Sequence, residues 1–169
     1  MKPLPPEVLV RLRALLRICA LELDYLKRID AKLFAKPMND TTIRQLPKDD
    51  DLSVQVDAFV ARFGRLQDTL GDKLLPVFLS AMEEKPGAML ENLDRAEKLG
   101  LVKSADTWLA LRKLRNRMVH EYVSDPSDLA SALTSAHEHV FLLADAFLEI
   151  RQRLVKSCGL DGGLFEHEF

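Results

Sequence analysis

Cysteine, glycine and proline are all scarce in this chain, at 2, 7 and 8 of 169 residues, and each scarcity excludes something. Cys19 lies inside an amphipathic helical pattern and Cys158 near the end of another. They form no CxxC and no Cys/His cluster, so neither a zinc site nor a disulfide framework is written here. A reduced, cytoplasmic setting fits that usage. Long apolar runs are missing too: prolines and arginines interrupt the opening MKPLPPEVLVRLR, and no stretch approaches the roughly 20 apolar residues of a membrane span. The expectation is a soluble protein with no membrane segment and no export signal. Nor is there an excess of charge of one sign. A formal net charge of -2 leaves any binding of nucleic acid to a local patch. What is present is ordinary for a globular chain, with 47% hydrophobic and 30% charged residues. At this length a domain buries roughly 70% of the surface of its unfolded chain, so its core needs no disulfide or metal.

Apolar residues recur at every third or fourth position, which predicts an all-α fold. The arrangement expected is an antiparallel helical bundle of four long helices plus a short helix, in a single domain over 1–169 with its core at about 7–156. The first helix opens after Pro5-Pro6, where early N–H groups lack partners anyway, and carries Leu9, Leu12, Leu16, Cys19, Leu23, Leu26, Ile29 and Leu33 on one stripe. Residues 35–50, with two prolines, an Asn-Asp-Thr-Thr turn signal and an acidic run, read as a connecting loop. Val56, Phe59, Val60, Phe63, Leu66 and Leu70 mark a second helix. Beyond Gly71-Asp72, Pro76 fits either a new helix starting near 73 or a kink in the old one. Lys85-Pro86-Gly87 ends that segment; a short helix over about 88–99 follows, with Gly100 as its C-terminal stop. Ser104 to Asp106 can cap a helix running through Trp108, Leu111, Leu114 and Met118 to about Tyr122. After the Ser124-Asp125-Pro126 turn, one final helix spaces Leu129, Leu133, Ala136, Val140, Leu143, Phe147, Ile150 and Leu154 by fours and threes. The tail over 157–169 frays or packs Phe165 and Phe169 on a partner.

Charged residues between the apolar positions of a helix are usually its solvated face. Residues 111–122, LRKLRNRMVHEY, resist that reading, because Arg112, Lys113, Arg115 and Arg117 fall within six positions and are followed by His120 and Tyr122. At about 100° per residue from Leu111, the positions Trp108, Leu114 and Met118 lie within about 60° and define the buried stripe. Arg115 falls at about 40° and Tyr122 at about 20°. An arginine in that sector needs a paired acid or an interface. His120 falls near 180°, so one regular helix does not unite it with Arg115 and Tyr122. A joint site needs the last turn unwound, a second chain across the face, or both. On its own, His120 reads equally well as a cation suited to a helix C-terminus, and Tyr122 as a core aromatic with its hydroxyl satisfied.

The run Arg115-Asn116-Arg117-Met118-Val119-His120-Glu121-Tyr122 fits R-x4-H-x-Y with a polar residue after the arginine, just before a turn and a last amphipathic helix. In this it resembles the HEPN domains, and more narrowly the HepT-type toxins paired with minimal nucleotidyltransferase (MNT) antitoxins. The resemblance extends over about 7–156; the 35–50 loop and the tail have no counterpart in the family pattern. It implies a cytoplasmic, metal-independent endoribonuclease without cofactor, in which Arg115 and His120 act at the scissile phosphate. A histidine titrating near neutral pH can move the protons of a reaction whose nucleophile is the RNA's own 2′-hydroxyl. An arginine fork can take the charge that builds on phosphate. A homodimer would share the acid and base roles between two copies of His120. Asn116 would orient histidine or substrate, and Arg112, Lys113 and Arg117 would hold RNA. The resemblance further implies that Tyr122 is the residue the nucleotidyltransferase modifies with AMP, silencing the enzyme by charge and bulk. A competing class is a non-catalytic adaptor that presents nucleotide or RNA to a nucleotidyltransferase. A third is a structural bundle carrying the motif by coincidence.

Overall fold

The computed structural model describes residues 4–120 and 125–160, apart from the side chain of His120. Among them the chain is all helical, with no strand. The elements are α1 (Pro6–Leu33), α2 (Asp40–Ile43), a 3-10 turn (Leu46–Lys48), α3 (Asp50–Asp68), a π-helical turn (Thr69–Leu74), α4 (Leu75–Ala81), α5 (Met89–Lys98), α6 (Ala105–His120), α7 (Pro126–Glu138) and α8 (Val140–Cys158). No helix among the described residues is long and apolar enough to cross a membrane.

Local chemistry accounts for the helix ends. Pro6 occupies the first helical position of α1. Asp49 caps α3 by accepting from the Leu52 N–H at 2.9 Å, Ser104 caps α6 through the Thr107 N–H at 3.1 Å, and Asp125 accepts from the Ser127 N–H at 2.9 Å ahead of α7. Gly100, at φ 71°, stops α5 in the left-handed conformation that glycine adopts freely. The Leu101 N–H returns to the Ala96 carbonyl at 2.8 Å and buries the Leu101 side chain.

The stripe of α1 faces the core as the spacing predicts, with Leu15 added and Leu9 partly covered. The apolar positions of α3, α6, α7 and α8 join it in one cluster. Two backbone details differ from the sequence expectation. Residues 35–50 are not an open loop: Asn39 caps α2 through the Thr42 N–H, and Ile43 and Leu46 are buried. These two apolar residues join the core, and α2 lies against α7. The expected single final helix is broken at His139. Its Nδ1–H takes the Ser135 carbonyl at 2.7 Å, the acceptor that the His139 backbone N–H would use in an unbroken helix. That N–H turns instead to Ala136 at 3.1 Å. The seam survives the break, since Leu129, Leu133, Ala136, Val140, Leu143, Phe147, Ile150 and Leu154 are all buried.

The alternatives left open at Pro76 resolve into a continuous rod. Asp50 to Ala81 remains helical, and the wide turn at Thr69–Leu74, where the Leu75 N–H reaches back to Leu70, absorbs the proline. At the far end of the core, His137 Nδ1 donates to Asp30 at 2.7 Å and stacks on Phe34, while Phe34 meets the edge of Phe59 at 5.2 Å. These contacts tie α7 to the end of α1.

Candidate functional site

Helix α6 buries Trp108, Leu111, Leu114 and Met118, the stripe its spacing predicts. Its neighbour is the rod formed by α3 and the π-turn. Trp108 lies by Gly71, Arg112 by Asp72, and Arg115 by Asp68 and Gly64, so α6 runs opposite to the rod.

Arg115 occupies the inward sector and is ion-paired there. Its Nη2 donates to Asp68 Oδ2 at 2.5 Å, and its Nη1 to Asn116 Oδ1 at 3.1 Å. The side chain lies flat across Gly64, where a β-carbon would stand 2.7 Å from Nε. Arg112 grips Asp72 with two parallel bonds of 2.9 and 2.8 Å, and its Nη1 also meets the Met89 sulfur at 2.9 Å. The hydrogen bonds that Arg112 donates to Asp72 raise its pKa above its ordinary value against an opposing desolvation, so this guanidinium is firmly charged and firmly held. Asp68 Oδ1 is 3.9 Å from Arg112 Nη2 and has no hydrogen-bond partner among the described residues.

Arg112 and Arg115 are therefore balanced by carboxylates from the facing rod. Lys113, Asn116 and Arg117 are exposed. The structure brings Arg115 and Asn116 together directly. His120 ends α6, its side chain is outside the described residues, and so is Tyr122. Phe165, Phe169 and the rest of the tail beyond 160 are outside them as well.

Beside Arg115 is a shallow depression of about 320 Å³ whose lining includes Val60, Gly64, Arg65, Arg115, Asn116 and Val119. Val119, 53% exposed, forms its apolar rim. A larger cavity of about 480 Å³ lies on the other side of Trp108, between the 100–104 turn, α6 and α8. Its floor is mostly apolar, its mouth carries the Lys103–Asp145 pair at 3.3 Å, and none of the motif cations lines it. Of the two, only the smaller depression is lined by residues of the motif, Arg115 and Asn116. Comparison with protein families, characterised proteins and solved structures finds no significant match.

Sequence reasoning missed Gly64, Arg65, Asp68 and Asp72. A signal was present, because a glycine inside a helical pattern marks a close approach, and Gly64, Asp68 and Asp72 repeat every four residues on one face. Behind them Glu22 of α1 packs near Thr69, Arg65 and Lys73. Desolvation raises its pKa, and its Oε2 is buried with no hydrogen-bond partner among the described residues.

Proposed function

We propose that this chain is a HEPN-type endoribonuclease of the HepT kind, a four-helix antiparallel bundle working as a homodimer in the cytoplasm and silenced by a cognate MNT nucleotidyltransferase. The observation that supports the reading best is the state of Arg115: a guanidinium drawn into the buried sector, held by Asp68 and Asn116, yet bordering an open depression. An arginine fixed at the edge of a groove, five residues before a histidine on the same helix, is suited to gripping a phosphate next to a proton carrier. The exposed Val119 on the same rim gives a second copy something apolar to cover.

In this mechanism the 2′-oxygen attacks the adjacent phosphorus, and the P–O5′ bond breaks. The products are a 2′,3′-cyclic phosphate and a 5′-hydroxyl. His120 of one copy takes the 2′-hydroxyl proton and His120 of the other supplies one to the departing O5′. Arg115 stabilises the charge on the non-bridging oxygens. Asn116, bonded to Arg115, orients the guanidinium, while Lys113 and Arg117 attract the strand. Arg112, committed to Asp72, adds less positive potential than its place in the run implies.

Expression in bacteria tests the reading: growth arrest and RNA cleavage are expected from the natural chain and are lost in His120→Ala while the protein stays folded and dimeric. Cleavage undiminished in His120→Ala refutes the catalytic assignment. No cleavage by either protein leaves the adaptor reading in its place. Coexpression with a cognate MNT nucleotidyltransferase should add one adenylyl mass, absent in Tyr122→Phe. Mass that persists in Tyr122→Phe overturns the modification site.

A further inference from the structure

The face of α3 beside Arg115 carries Arg65, which has no role in the reading above, and Asp68, which there only holds Arg115. Arg65 is exposed and lines the same depression from the opposite helix, one residue after the bare backbone of Gly64. Asp68 lies one turn further along α3. Among the described residues its carboxylate spends its hydrogen bonding on Arg115: Oδ2 accepts from Nη2, and Oδ1 has no hydrogen-bond partner. We infer that α3 supplies the other half of a phosphodiester-binding subsite, with Arg65 as a second phosphate contact and Asp68 as the positioning residue that aims Arg115.

The geometry argues for this division of labour. Arg65 and Arg115 line the depression from facing helices with no side chain at Gly64 between them, an arrangement suited to clamping a tetrahedral anion. The rest of the depression supplies an amide at Asn116 and an apolar rim at Val119, which suits a nucleotide more than a bare ion. Among the described residues Arg115 donates one bond to Asp68 and one to Asn116, which leaves three of its five N–H donors for phosphate oxygens. An arginine side chain left loose loses rotamer freedom when it grips a ligand. One already held by a carboxylate has lost that freedom on folding. Asp68 therefore favours binding although its charge opposes a phosphate.

That opposition of sign makes the test sharp. The inference rests on the proposed RNase reading for its ligand class, but not on turnover, so the probe is a fluorescein-labelled single strand of twelve 2′-O-methyl ribonucleotides, which lacks the attacking hydroxyl. Binding to the full chain is followed by anisotropy against salt. Arg65→Gln, at an exposed position, is expected to weaken binding about tenfold near 0.1 M salt and to lower the salt slope by about 0.7, one phosphate contact on a single strand. Asp68→Ala is expected to weaken binding several-fold in the natural chain and to change nothing in Arg115→Ala. Thermal melts of each variant separate a folding defect from a binding one, and Asp68→Glu, which keeps the carboxylate, should restore part of the affinity.

Tighter binding by Asp68→Ala means that Asp68 acts only as a repelling charge and overturns the positioning role. An equal loss in both backgrounds means a structural role and overturns it too. An unchanged slope in Arg65→Gln removes Arg65 from the subsite. The outcomes for the wider reading are distinct. Cleavage that depends on His120 but not on Arg65 or Asp68 keeps the nuclease and sinks the subsite. Probe binding with the expected pattern and no cleavage of natural RNA keeps the subsite and sinks the nuclease. No binding by the natural chain, or binding indifferent to Arg115→Ala, overturns the subsite and the phosphate role of Arg115 together.

Discussion

Gly64→Ala sets two effects of similar size against each other. Gly64 lies in the interior of α3, where alanine is favoured over glycine by about 0.8–1.0 kcal/mol. The new β-carbon would stand 2.7 Å from Arg115 Nε and 3.1 Å from Cγ. The middle of the arginine must lift by several tenths of an ångström, which draws Nη2 away from Asp68. The two side chains are 28% and 33% exposed, so solvent screening leaves their pair worth about 0.5–1 kcal/mol. In the natural chain the gain and loss nearly cancel, and stability should move by less than about 0.5 kcal/mol. In Arg115→Ala the obstacle is gone, and Gly64→Ala should stabilise by the full propensity difference, about 2–4 °C in Tm for a chain of this size. Urea unfolding of the natural chain, both single variants and the double variant reads the difference as a coupling of about 0.5–1 kcal/mol. If Gly64→Ala stabilises both backgrounds equally, Arg115 does not lie across Gly64. Under the proposed RNase reading, RNA cleavage falls in Gly64→Ala despite its unchanged stability.

Phe59→Ala removes a fully buried ring that meets the edge of Phe34, and should lower stability by about 3–5 kcal/mol in urea unfolding; a loss under 1 kcal/mol would contradict the packing. Burial raises the Glu22 pKa, so the folded chain keeps a proton there that the unfolded chain has released. This contribution is fully present below the ordinary carboxylate range, near about 4.3, and is lost as pH rises through the folded-state value. Glu22→Gln should therefore be more stable than the natural chain at pH 7, with a gap that closes towards pH 4. A gap that widens on acidification refutes it. The buried Cys19 thiol is pushed up to about 12, chiefly by desolvation, while the half-buried Cys158 is raised by the same cause. Alkylation at pH 8 should mark Cys158 first and reach Cys19 only on unfolding, as mass mapping of peptides would show.

The apolar stripes were legible because helical periodicity is local. Leu12, Leu16 and Leu23 share a face of α1 whatever surrounds it, and burial follows. Gly100, Ser104 and Pro126 announced their helix ends for equally local reasons. The segment over 35–50 was not legible, since its turn residues are real but Ile43 and Leu46 gain their burial from the tertiary fold. The break at His139 was hidden too. An unbroken seam predicts an unbroken helix unless a side chain captures its own helix's carbonyl.

For the candidate site, the run Arg112 to Arg117 declared a cluster of cations, and the inward angle of Arg115 declared that it needed a partner. The sequence by itself determined the helical class, the buried stripes and the arginine out of place among them, because each depends on neighbours within a few turns. Only the tertiary structure decided that Asp68, 47 positions earlier, answers Arg115, and that Asp72 removes Arg112 from the patch. Those pairings depend on the rotation and register of two distant helices, set by Gly64 and Gly71 letting α6 settle against α3 and the π-turn. No pattern within α6 alone specifies which residue of another helix it will meet.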